Sequence, residues 1–127
     1  MVKGVKKSNS LQESFRYAME GIMYTIRTQR NMRIHIIIGM FVLLFSLYLG
    51  VSGRDLAILL ILISLVWVAE LLNTSIEIFL DFITQKEDKD IKHIKDIQAG
   101  IVLVFAVFSV LSGIIIIKPY IYKLFYR

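Results

Sequence analysis

The chain has 127 residues, 57% of them hydrophobic, with a mean hydropathy of +0.69 and a net charge of +5. That length makes one domain, and that apolarity excludes an ordinary soluble one. With no cysteine, disulfides and thiolate metal sites are excluded. The positive charge flanks apolar stretches, so it reads as topology signal and lipid-headgroup contact rather than as a nucleic-acid surface.

The first residues, MVKGVKKSNSLQES, have no apolar core followed by a small-residue cleavage site, so no signal peptide is expected. Leu11, Phe15, Met19, Ile22 and Ile26 then recur at steps of three and four. This spacing predicts an amphipathic helix over 8–32, lying along the membrane surface. Ser10 followed by Glu13 fits a capping box at its start. Such a helix is either a simple anchor or the wall of a site at that surface.

Three apolar spans follow, predicted at 34–52, 56–83 and 96–118. The first, from Ile34 to Val51, is broken only by His35 and Ser46. At a rise of 1.5 Å per residue it measures roughly 27 Å, enough to cross a hydrocarbon core. GVSGRD, residues 50–55, predicts a tight turn into the second span through its glycines. The second span is joined to the third by the charged run TQKEDKDIKHIKD. Gly100 and Gly113 offer small positions for close helix approach in the third span, and Pro119 is expected to end it. Of the 15 Lys and Arg, eleven fall before Ile34 or in the second connection, and four (Arg54, Lys118, Lys123, Arg127) on the other side. This bias predicts a cytoplasmic N-terminus and an external C-terminus.

The second span carries the chemistry. After the apolar run LAILLILISLVWVA it reads ELLNTSIEIFLD, residues 70–81. With Glu70 at 0°, helical geometry puts Glu77 at about 340°, Asp81 at about 20° and Asn73 at about 300°. All four share one arc of about 80°, while Leu71, Ile78, Phe79 and Phe82 take the rest of the circumference. Carboxylates on a membrane helix mark a functional site by default. Three acids on one face repel each other, and an oxygen-only ligand set suits Mg²⁺, which binds with few carboxylates and substrate phosphates. A nucleotide site at the end of the bundle follows, with Lys95 and Asp96 across the second connection as candidate phosphate and cation partners. The alternative is that these acids pair with Arg or Lys of a neighbouring helix for assembly. A channel or carrier is disfavoured, because the acids cluster at one end. No P-loop, dinucleotide fingerprint or protein-kinase signature is present. His35 and His93 are isolated; His35 is expected at the lipid interface and His93 in a solvated loop.

The run E-L-L-N-T-S-I-E-I-F-L-D, followed by K-D-I-Q-A-G-I-V-L-V, resembles the small integral-membrane prokaryotic diacylglycerol kinase family. R-N-M-R-I-H before the first span resembles its Gram-positive branch, many members of which phosphorylate undecaprenol. The similarity runs from about Phe15 to Pro119. It implies an all-α homotrimer of three-span subunits, each with an N-terminal surface helix, in the cell membrane. It further implies an enzyme that moves the γ-phosphoryl group of ATP to a lipid hydroxyl, with Mg²⁺. Undecaprenol is the acceptor favoured, the alternatives being diacylglycerol or a degenerate, non-catalytic assembly protein. Carried over by motif, Glu70 is the catalytic base and Glu77 binds the metal on ATP. Asn73, Asp81, Lys95, Asp96 and Tyr17 hold the nucleotide. One position departs: the residue before R-N is usually a second metal-binding Glu in that family, and here it is Gln29. Gln keeps an oxygen ligand but loses the charge.

Overall fold

The computed structural model describes residues 10–84 and 89–126, so Lys3, Lys6, Lys7, Lys86 and Arg127 of the charge count lie outside the described residues. The described residues form four helices: α1 Leu11–Thr28, α2 Arg30–Tyr48, α3 Gly53–Ile83 and α4 Lys89–Phe125. The last three are each long and apolar enough to cross a membrane.

Ser10 starts α1 as predicted: its hydroxyl accepts from the Glu13 backbone N–H at 3.2 Å. The predicted surface helix nevertheless stops short. Gln29 has extended backbone (φ −100°, ψ 117°), which ends α1 and makes residues 30–32 the first turn of α2. Arg33 of α2 reaches back and donates to the carbonyls of Ile26 and Arg27 at 3.1 and 3.0 Å. Those are orphan acceptors at the end of α1, and a cation there also suits the helix dipole. The corner between α1 and α2 is therefore fixed by a capping arginine.

The turn between α2 and α3 is a Schellman motif. Gly50 takes φ +66°, the Gly50 N–H donates to Leu47 O, and the Val51 N–H donates to Ser46 O, both at 3.1 Å. Only Gly50 needs the left-handed conformation, because Gly53 is already helical. Ser52 caps α3 by accepting from the Asp55 N–H at 3.2 Å.

α3 is the spine. α2 and α4 both pack against it, and Leu59, Val66, Ala69 and Leu80 are its buried apolar contacts. The intrachain close approach falls neither at Gly100 nor at Gly113. A Cβ on Gly100 would meet nothing within 4 Å, and one on Gly113 only Leu59 Cδ2 at 3.9 Å. It falls at Gly39, where a Cβ would lie 2.8 Å from Ile63 Cγ2 and 3.3 Å from Trp67 Cζ2. The gap left by the missing methyl lets the Trp67 indole lie across α2 and donate to the His35 carbonyl at 3.2 Å.

α4 corrects two expectations. It begins at Lys89 rather than 96, so most of the charged connection is helical. It also runs through Pro119 to Phe125. Proline removes one backbone donor and crowds the preceding turn, at a cost of about 3 kcal/mol inside a helix. Here the turn beyond it is anchored: the Tyr120 hydroxyl donates to Asp55 Oδ2 at 2.5 Å and accepts from the Ser52 N–H at 3.2 Å. A tie to the start of α3 offsets what the proline removes.

Candidate functional site

Because α3 is one unbroken helix, Glu70, Asn73, Glu77 and Asp81 do share a face. The neighbouring helices divide that face into three levels.

At the deepest level Glu70 is 1% exposed, and its Oε2 has no hydrogen-bond partner among the described residues. Buried polar oxygens are almost always satisfied, and leaving one bare costs on the order of 1–3 kcal/mol. Glu70 also lines a cavity of about 320 Å³ between α2, α3 and α4. Asn31, His35, Glu70 and Asn73 supply the polar lining, and Ala99, Val102, Leu103 and Ala106 supply an apolar wall from α4. The arrangement suits a small hydrogen-bond donor, such as a hydroxyl, carried on an apolar body.

Two helical turns further along α3, about 10 Å, lies Glu77. The Gln29 side-chain amide donates to Glu77 Oε2 at 3.4 Å. Gln29 is the single extended residue between α1 and α2, so this bond ties that corner to α3. It also places Gln29 beside the carboxylate where the motif puts the metal.

At the end of α3, Asp81 Oδ1 accepts from Lys95 Nζ at 2.7 Å, bridging α3 and α4. Lys95 is therefore at the stripe, as predicted. Asp96 is paired instead with Lys92, one turn back on the same helix, at 3.1 Å and largely exposed. Tyr17 is 40% exposed on α1, with the Arg16 guanidinium 5.3 Å from its ring centroid. No contact described for Asp96 or Tyr17 joins either to the stripe.

His35 was expected at the lipid interface, with no part in the site. It lines the Glu70 cavity, half-buried, instead of simply facing lipid. The available signal was its spacing from Asn31: four residues apart on a helix, the two polar groups share a face and reach the same cavity.

The site offers a divalent cation few protein ligands. Among the described residues no three His, Cys, Asp or Glu side chains come together around one point. The oxygens on offer are the Glu77 carboxylate and the amide oxygen of Gln29. A pair of that kind fits Mg²⁺ only when phosphate oxygens and water complete the shell, which is how Mg²⁺ binds in nucleotide sites.

Residues 16–117 match the prokaryotic diacylglycerol kinase family. The chain belongs to that family: it is a lipid kinase with three membrane-crossing helices. It is 39% identical over 111 residues to the undecaprenol kinase of Bacillus subtilis (strain 168), an alignment covering 87% of this chain and 90% of that protein. It is 36% identical over 111 residues to the diacylglycerol kinase of Synechocystis sp. (strain ATCC 27184 / PCC 6803 / Kazusa), covering 87% of this chain and 63% of that longer protein.

Proposed function

We propose that this kinase transfers the γ-phosphoryl group of ATP to the hydroxyl of undecaprenol, making undecaprenyl phosphate. The observation that carries the reading is Glu70, buried with an unpartnered oxygen and bordering a cavity walled by three helices. It lies where a lipid alcohol arrives from the bilayer, about two helical turns from Glu77. The Glu70 carboxylate takes the hydroxyl proton, the lipid oxygen bonds to the γ-phosphorus, and the bond to the β–γ bridging oxygen breaks to release ADP. Asn73 and His35 orient the hydroxyl in the cavity. Lys95 exchanges its Asp81 partner for phosphate oxygens at the water-facing end. A divalent cation held by Glu77 and the Gln29 amide oxygen would neutralise charge on the ATP phosphates. Most of the catalysis is positioning and charge stabilisation.

The active assembly in this reading is a homotrimer built on α3. Its uncovered face carries Ala57, Ile61, Ser64, Val68, Leu72 and Ser75, at helical steps of three and four. Small residues on such a stripe favour close packing of membrane helices. α1 lies along the cytoplasmic surface with the N-terminus inside.

Undecaprenol is preferred to diacylglycerol on the R-N-M-R-I-H run and on the relative that this chain matches nearly end to end. The test offers the two alcohols separately, in mixed micelles with ATP and Mg²⁺. Undecaprenol should be phosphorylated the faster. Transfer to diacylglycerol alone would change the acceptor, and transfer to neither would leave the assembly-protein reading.

A further inference from the structure

A second and larger hollow adjoins the Glu70 cavity. It is a groove of about 970 Å³ between α2 and α4, floored by α3. His35 and Ala106 line both spaces, so the groove is the immediate neighbour of the cavity at Glu70. α2 (His35 to Val42) and α3 (Leu59 to Trp67) enclose about 10 to 12 Å of it, and from there the track continues along α4 alone, whose lining from Ala106 to Tyr126 is about 30 Å of helix, close to the thickness of a hydrocarbon core. Its middle offers no free polar group. The Ser109 hydroxyl donates to the Leu62 carbonyl at 3.2 Å, and the Trp67 N–H is taken by the His35 carbonyl. Only the far end turns polar again, at Lys118, Tyr122 and Tyr126. Gly113 leaves the trough wide at its middle, where the nearest atom to an added Cβ is Leu59 Cδ2 at 3.9 Å.

We propose that this groove is the tail-binding subsite for a single long polyisoprenoid chain, which lies along α4 with its hydroxyl at Glu70. The proposal rests on the lipid-kinase reading of the Glu70 cavity. Length decides the occupant. The acyl chains of a diacylglycerol fill one leaflet, about half of the hydrocarbon thickness, and two chains do not share one trough. A polyprenol tail exceeds a leaflet and needs a track through both. The Trp67–His35 bond, held in place by Gly39, sits where groove and cavity meet, so it sets the depth at which the hydroxyl stops.

The test uses the full chain in lipid vesicles and a polyprenol bearing a diazirine near the tail end. After irradiation, adducts are mapped by mass spectrometry. Val110, Ile114 and Ile117 line the groove, while Phe108, Leu111 and Ile115 are exposed on the other faces of α4 and serve as internal controls. Several-fold enrichment on the groove side is expected. Equal labelling of all faces would mean that the tail wanders in bulk lipid, and would overturn the proposal. Groove residues shielded from label but cross-linking readily to a second copy would overturn it too, because a neighbouring chain then fills the trough. A second arm compares undecaprenol with geraniol, a short prenol, as acceptor. Gly113→Phe, or Ile117→Trp if the first does not fold, fills the trough beyond the reach of the short chain. The long-to-short ratio of kcat/KM should fall at least about tenfold, the scale on which apolar pockets discriminate chain length. An unchanged ratio in a folded variant would refute the groove. If the unmodified chain phosphorylates no alcohol, the kinase chemistry fails, and the labelling pattern still decides the groove.

Discussion

Replacing Gly39 by alanine tests the corner on which the site depends. The new methyl would stand 2.8 Å from Ile63 Cγ2 and 3.3 Å from Trp67 Cζ2, so Ile63 has to shift and the indole has to give by a few tenths of an ångström, straining its bond to the His35 carbonyl. Overpacking of this kind costs about 1–3 kcal/mol. Losing the Trp67–His35 hydrogen bond costs a further 0.5–1.5 kcal/mol or about that. The gain in helix propensity from Gly to Ala returns up to about 1 kcal/mol. A net destabilisation of about 1–3 kcal/mol is expected, and catalytic efficiency should drop with it, because His35 borders the Glu70 cavity. Trp67 is the only tryptophan in the chain, so its fluorescence reads the displacement directly. The assay is emission in detergent micelles together with unfolding by a denaturing detergent. Gly100→Ala is the control: its added methyl meets nothing within 4 Å of the same chain, so Trp67 emission should not change. An unshifted emission maximum and an unchanged unfolding curve in Gly39→Ala would refute the close-approach argument.

Glu70→Gln removes the proposed base while keeping the shape of the cavity. Phosphoryl transfer should fall by about 10²–10⁴, with ATP binding little changed in a nucleotide-binding assay; full retained activity would make the stripe structural. Gln29→Glu puts a second carboxylate beside Glu77. Unit charges 4 Å apart interact by about 4 kcal/mol at an effective dielectric of 20, and desolvation and mutual repulsion consume much of it. The Mg²⁺ concentration for half-maximal transfer should drop about tenfold, or 1.4 kcal/mol, and an unmoved titration curve would show that residue 29 does not face the metal. Single cysteines at Thr84 and Tyr126, introduced into a chain that has none, should label from opposite sides of the membrane. Labelling from the same side would contradict an odd number of crossings. Tyr120→Phe removes both hydrogen bonds that hold the turn after Pro119, and thermal unfolding should begin earlier by an amount equivalent to about 1–3 kcal/mol.

The three spans and the acidic face of α3 were legible because each rests on a single periodicity. An eighteen-residue stretch with only two polar interruptions has few folds open to it, and four polar side chains at helical spacing stay on one face wherever the helix goes. The Ser10 cap was legible for the same reason, since it is set by residues three apart. What escaped the sequence depended on partners far along the chain. Pro119 reads as a helix end until Tyr120 is seen bonded to Asp55, 65 residues away. Gln29 reads as mid-helix until the capping of Arg33 and the bond to Glu77 give its extended backbone a reason. His35 reads as an isolated interfacial residue because nothing local says that α4 leaves a hollow beside it. Asp96 was drawn to the stripe by its neighbour Lys95, yet successive residues on a helix point about 100° apart, and Lys92 takes it.

The two ends of the bundle are fastened very differently. At the end bearing the α2–α3 turn, a Schellman motif, a serine cap and the paired bonds of Tyr120 clamp all three long helices within a few residues of one another. At the opposite end the ties include a long amide bond from Gln29, between α1 and α2, to Glu77 of α3, and an exposed ion pair from Lys95 of α4 to Asp81 of α3. Exposed pairs hold weakly. The molecule is thus shaped like tongs, riveted at one tip and sprung at the other. The sprung tip is the one with the carboxylates, so substrates bound there as proposed would press on the end where parting the helices costs least.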